Sequence, residues 1–127
     1  MSQAEYNYAV SQLSFYSQRY NDLSQDITVL KSAHSQLKTI RDKIKTDFND
    51  LKTNSQVTIT DWHGDTTNRY RHQYRVNISQ SFTTYIGQID SAITEMNNAL
   101  TDLKADLSSA YSAKSNWQSI VNKGVLP

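Results

Sequence analysis

The side chains able to do acid–base, nucleophilic or ligand chemistry are few and scattered. Three histidines, His34, His63 and His72, fall at spacings that match no metal-ligand pattern. Serines are abundant, but none sits in a G-x-S-x-G nucleophile elbow, and with only 3 glycines in 127 residues no glycine-rich phosphate loop is present. The chain has no cysteine, so disulfides and thiolate chemistry are excluded. These residues assemble no catalytic site, no metal site and no cofactor site, and the expectation is a protein that is not an enzyme.

A second kind of chemistry is held by the stretch from Asn68 to Arg75, which reads NRYRHQYR. Arginines interleaved with aromatics can grip single-stranded nucleic acid through phosphate contacts and base stacking. Against this stand Asp47, Asp50, Asp61 and Asp65 near the same region, and a net charge of only +1. One local cluster on a balanced chain is a weak electrostatic footprint, so no nucleic-acid partner is expected. A basic first turn also opposes the helix dipole, which suits an acidic partner better.

The elements that carry these residues follow from periodicity. Ser2 and Glu5 form a capping box, with Met1 and Tyr6 placed as its hydrophobic staple, so a helix starts near residue 3. From there Ala9, Tyr16, Leu23, Leu30, Leu37, Ile44 and Leu51 recur every seven residues. Tyr6, Leu13, Tyr20, Ile27, His34, Arg41 and Phe48 do so in a second row. Alternating three- and four-residue steps of this kind mark a coiled-coil seam.

The second half repeats the pattern. Phe82, Ile89, Met96, Leu103, Ala110 and Trp117 form one row, and Ile86, Ile93, Leu100, Leu107, Lys114 and Val121 the other. A flanking row of Tyr85, Ala92, Ala99, Ala113 and Ile120 widens the stripe. Gly124 and Pro127 end the second helix. Gly87 inside it marks a bend or a close contact. His34, Arg41 and Lys114 break the seam. Polar residues at such positions fix register or partner choice. Arg41 and Lys114 can carry their charges out to water, and His34 reads as a seam histidine rather than a pH switch.

Between the two halves lies TITDWHGDTT, residues 58–67. Gly64 can end the first helix with a left-handed residue, Trp62 can cap the end of the seam, and Asp65 can start the second helix as an N-cap. Together these features predict one all-α domain over 1–127: helix 3–60, turn 61–65, helix 66–123. Two long helices joined by a short turn lie antiparallel, as a coiled-coil-like hairpin. The hydrophobic fraction of 37 % is below the roughly 45–50 % of an ordinary globular domain. It suits a narrow stripe on an elongated helix pair better than a filled core.

Trp62, His63 and Gly64, set in a helix–turn–helix layout covering the whole chain, resemble the WXG family. These are small helical hairpins related to the early secreted antigenic target of mycobacteria. The resemblance implies a substrate or partner of a type VII secretion system in a Gram-positive bacterium, completing a four-helix bundle with a partner or a second copy. The length resembles that of the longer accessory members that escort toxins carrying a helical LXG domain, acting as a chaperone or targeting factor. Many members or their partners carry an aromatic residue followed four positions later by an acid. Here Tyr111 is followed by Ser115 and Tyr85 by Ile89. The resemblance therefore implies that a partner supplies the export signal, and it favours an escort over a self-associating secreted substrate or a coiled-coil structural protein.

Off the seam lie Tyr8, Phe15, Val29 and Tyr111, which two paired helices cannot cover. Tyr8, Phe15, Tyr111 and Trp117 are the expected partner-binding residues, and Trp62 and Gly64 the turn motif. The N-terminal MSQAEYNYAV lacks a basic stretch followed by an apolar run, so no signal peptide is expected. Nor does any stretch approach membrane-spanning length, and no stable membrane insertion is expected. The expected location is the cytoplasm, before any export by type VII secretion.

Overall fold

In a computed structural model the chain is all-α, two long helices packed against each other as a hairpin. Helix α1 spans Gln3–Thr58 and helix α2 spans Asp65–Lys123. The structure describes residues 1–58 and 65–125, and the side chains outside 51–71. Trp62, His63 and Gly64, expected to form the turn, lie outside the described residues, as does Pro127.

The start of α1 and the end of α2 are capped as their sequences dictate. The Ser2 amide donates to Glu5 Oε2 at 2.9 Å, and the Glu5 amide donates to Ser2 Oγ at 3.1 Å. This reciprocal pair satisfies two donors that helix geometry leaves free. The first intrahelical bond follows, from the Tyr6 amide to the Ser2 carbonyl at 2.9 Å. At the other end Gly124 takes φ +68°, and its amide donates to the Val121 carbonyl at 3.0 Å. Only glycine enters that left-handed region without steric penalty, so α2 stops where the sequence places glycine.

Between the caps, many exposed polar side chains bond within their own helix. Gln3, Gln18, Gln73 and Gln118 donate to Asn7, Asp22, Asn77 and Asn122, each one turn on and at 2.8–2.9 Å. Thr28, Thr39, Thr46, Thr94 and Thr101 return their hydroxyls to the carbonyl four residues earlier. These bonds dispose of side-chain donors that would otherwise compete with the backbone.

The helices form two compact units. Unit 1 comprises Met1–Ala33 and Met96–Pro127, and unit 2 comprises His34–Glu95. In unit 1, Tyr8 meets Trp117 and Tyr20 meets Tyr111. In unit 2, Arg41 meets Asp90 and Phe48 meets Phe82. In each unit the contact on α2 moves back as α1 advances, so the pairing is antiparallel.

Every described position of the four seam rows is buried or half-buried. Among the described residues, Ala9, Leu23, Ile27, Ile89, Ile93, Leu100 and Ala110 are buried, and no large side chain is fully enclosed. The reason is geometric. A helix with one neighbour hides only the stripe facing it, and the edges of that stripe stay wet.

Two seam interruptions behave differently from the sequence expectation. Arg41 does not simply run its head out to water. Its guanidinium donates to Asp90 on α2 and to Asp42 beside it, both at 3.1 Å. The hydrogen bond to Asp90, then that to Asp42, raises the Arg41 pKa above its ordinary value. Lys114 lies over the Tyr20 ring with its Nζ 5.2 Å from the centroid, a cation–π contact between the helices. His34 Nε2 is buried without a hydrogen-bond partner. Gly87 sits in open space: a Cβ there would meet nothing within 4 Å. No close contact demands glycine at that position.

Candidate docking surface

The surface of interest lies in unit 1, where the first turns of α1 meet the last turns of α2. Tyr8 and Trp117 pack edge to face, with ring centroids 5.6 Å apart and planes at 82°. This is the geometry the ring quadrupoles prefer. Beside them opens a hollow of about 540 Å³ lined by Met1, Ala4, Glu5, Tyr8, Ala9, Trp117 and Ile120. Apart from Glu5 its lining is apolar. Because α1 and α2 run antiparallel here, the capping box that starts α1 and the glycine that ends α2 together fix the position of this wall.

Of the four residues expected to bind a partner, Tyr8 and Trp117 are in direct contact. Tyr8, Phe15 and Tyr111 are exposed at 58–59 %, whereas Trp117 is half-buried. Phe15 stands edge-on to Tyr16 at 5.1 Å, and it lies two helical turns beyond Tyr8 on the same row of α1. Tyr111 is not part of this patch. It packs against Tyr20 at 6.0 Å. Nine residues separate it from Ile120, half a revolution around α2, which puts the two on opposite flanks of the seam. Val29 is the most exposed of the off-seam residues at 69 %.

Met1, placed in the sequence as a helix staple, and Ala4 belong to neither seam row, and only the antiparallel pairing brings them into one hollow with Trp117. Nothing in the seam row of Arg41 points to Asp90 as its partner. The signal was present, since an acid on the flank of α2 could answer a seam arginine on α1, but the register between helices had to be known.

In unit 2 the basic stretch is only partly described. His72, Gln73 and Tyr74 are exposed, while Arg75 is half-buried with its Nε lacking a hydrogen-bond partner. Part of the Arg75 guanidinium is therefore shielded instead of displayed. Among the described residues, no three histidines or acids gather as a metal site would require, and no helix is long and apolar enough to cross a membrane.

The sequence model of the YwqH-like family matches residues 4–124, nearly the whole chain. The chain belongs to the YwqH-like family. The match takes in both helices, the hollow at Tyr8 and Trp117, and the central W-x-G stretch. No curated protein and no solved structure matches the chain. In this YwqH-like chain the described residues form a helix pair with an open apolar wall where α1 begins and α2 ends.

Proposed function

We propose that this chain is a non-enzymatic escort of a type VII secretion effector, docking beside the helical LXG-type domain of a toxin. The observation that carries the reading is the apolar hollow of unit 1 and the exposed aromatics along the same side of α1. A helix pair with such a wall lacks a second layer, and one or two helices from a partner would supply it as a four-helix bundle. YwqH-like proteins are associated with LXG toxin systems, which supports the identity of the partner. The W-x-G motif between the helices, with its resemblance to the WXG family, supports the secretion context. The chain carries no aromatic-x-x-x-acid export signal of the kind that family uses, so the effector complex supplies it. The chain acts in the cytoplasm before export.

The test is solution mass by light scattering, with a thermal melt followed by circular dichroism. Alone, the chain is expected to be a helical monomer with a shallow melt. Mixed with the helical LXG-type domain of a toxin, it should form a defined complex with a sharper melt. A stable homodimer that ignores that domain would instead make the protein a self-associating substrate or a structural coiled coil.

A further inference from the structure

The wall of unit 1 is not apolar along its whole length. Tyr8, Phe15, Asp22 and Val29 are spaced by seven, so they share one side of α1, and Asp26 lies one turn after Asp22 on that side. On α2, Ile120 lines the same hollow as Tyr8. Ala113 and Asp106 precede it in the same row, with Asp102 one turn further back. Counting from the Tyr20–Tyr111 contact, antiparallel pairing brings Asp22 and Asp26 level with the stretch holding Asp102 and Asp106.

All four aspartates are exposed. Asp22 accepts one bond from the uncharged Gln18 amide. None of the four is in an ion pair, since those formed among the described residues belong to Arg41. Arg19, one heptad before Asp26, is the single base on that flank of α1 in unit 1, so the band remains negative.

We propose that this face receives one helix of a different protein. Its apolar residues fill the hollow at Tyr8, Trp117 and Ile120. Its lysines or arginines, about two heptads and so roughly 21 Å further along, meet the aspartate band. The inference rests on the docking reading above and adds the chemistry and register of the partner helix.

A second copy fits poorly. A two-fold contact uses the same patch on both subunits. With its axis at the band it opposes aspartates with aspartates, which is costly. With its axis between band and hollow it lays carboxylates on aromatics. With its axis at the hollow it leaves both bands unanswered.

The experiment uses the full chain and two labelled synthetic amphipathic peptides with identical apolar positions. The peptides differ only two heptads from the apolar anchor, where one carries lysines and the other glutamates. Binding is read by fluorescence anisotropy at low and high salt, and the mass of the chain alone by sedimentation. The lysine peptide should bind on the order of tenfold more tightly at low salt, with the advantage shrinking as salt rises. The combined variant Asp22→Asn, Asp26→Asn, Asp102→Asn and Asp106→Asn should erase the difference at unchanged helicity, and Tyr8→Ser should weaken both peptides. Equal binding of the two peptides overturns the charge inference and leaves helix docking standing. Binding of neither overturns the inference, and the complex with the LXG-type domain then decides the escort reading on its own. A concentration-dependent dimer broken by Tyr8→Ser would make the occupant a second copy and overturn it as well.

Discussion

Tyr8 and Trp117 join the first turns of α1 to the last turns of α2 through an edge-to-face contact with centroids 5.6 Å apart. Trp117 is a seam residue, while Tyr8 lies outside the seam rows and reaches it from the flank of α1. The contact therefore couples the core stripe to the proposed docking wall. In a double-mutant cycle with Tyr8→Ala and Trp117→Ala, urea unfolding should give a coupling of about 0.5–1.5 kcal/mol. A value near zero would mean the rings are neighbours without being energetically linked.

The two described glycines should respond to alanine with opposite signs. Gly87 lies in an exposed helix interior with open space around it, so Gly87→Ala should stabilise by about 1 kcal/mol. Gly124 holds φ +68°, so Gly124→Ala should destabilise by about 1–2 kcal/mol. Chemical denaturation of the two variants checks both signs at once. If Gly87→Ala stabilises the free chain but weakens the complex, a partner helix reaches that side of α2.

Arg41 should tie the helices together through Asp90 and not through Asp42. Both carboxylates lie 3.1 Å from its guanidinium, but only Asp90 belongs to the other helix. Asp90→Asn should lower the thermal midpoint and flatten its salt dependence, and Asp42→Asn should leave both nearly unchanged. The raised arginine pKa means that any loss of this stabilisation comes only in strong alkali, as pH rises through the folded-state pKa. From pH 6 to 9 the arginine end of the pair should therefore add no pH dependence to the melt.

Trp62→Ala tests the central motif through function. If Trp62 shapes the turn that presents the helices to a partner, complex formation or export should fall while the circular-dichroism signal keeps most of its helicity. Unchanged complex and export would remove the motif from the docking mechanism.

Much of this architecture was legible because one stripe serves one neighbour. The heptad rows through Leu23, Ile27, Ile93 and Leu100 mark residues that the structure buries, since in an antiparallel pair the side facing inward follows from period alone. The capping box at Ser2 and Glu5 is equally local, and both of its bonds form. What periodicity could not supply was register between the helices. Arg41 read as a charge bound for water because nothing in its own row named Asp90. Tyr8 and Tyr111 both lie off the seam, yet they flank opposite sides of it. Gly87 invited a structural reason, and the space around it supplies none.

His34 offers the last test, because it is the seam position where polarity is unanswered. Its Nε2 is buried with no hydrogen-bond partner, and a buried polar group left unpaired is costly. A seam leucine would remove that penalty and fill the stripe, so His34→Leu should raise stability by about 1 kcal/mol. His34→Asn keeps a polar group at the position and should bring no such gain. Polar seam residues limit the ways two or more helices can associate, so the leucine variant should also self-associate more readily in sedimentation. If His34→Leu proves less stable than the parent, the imidazole is no net cost to the helix pair, and His34 would then be a specificity residue of it.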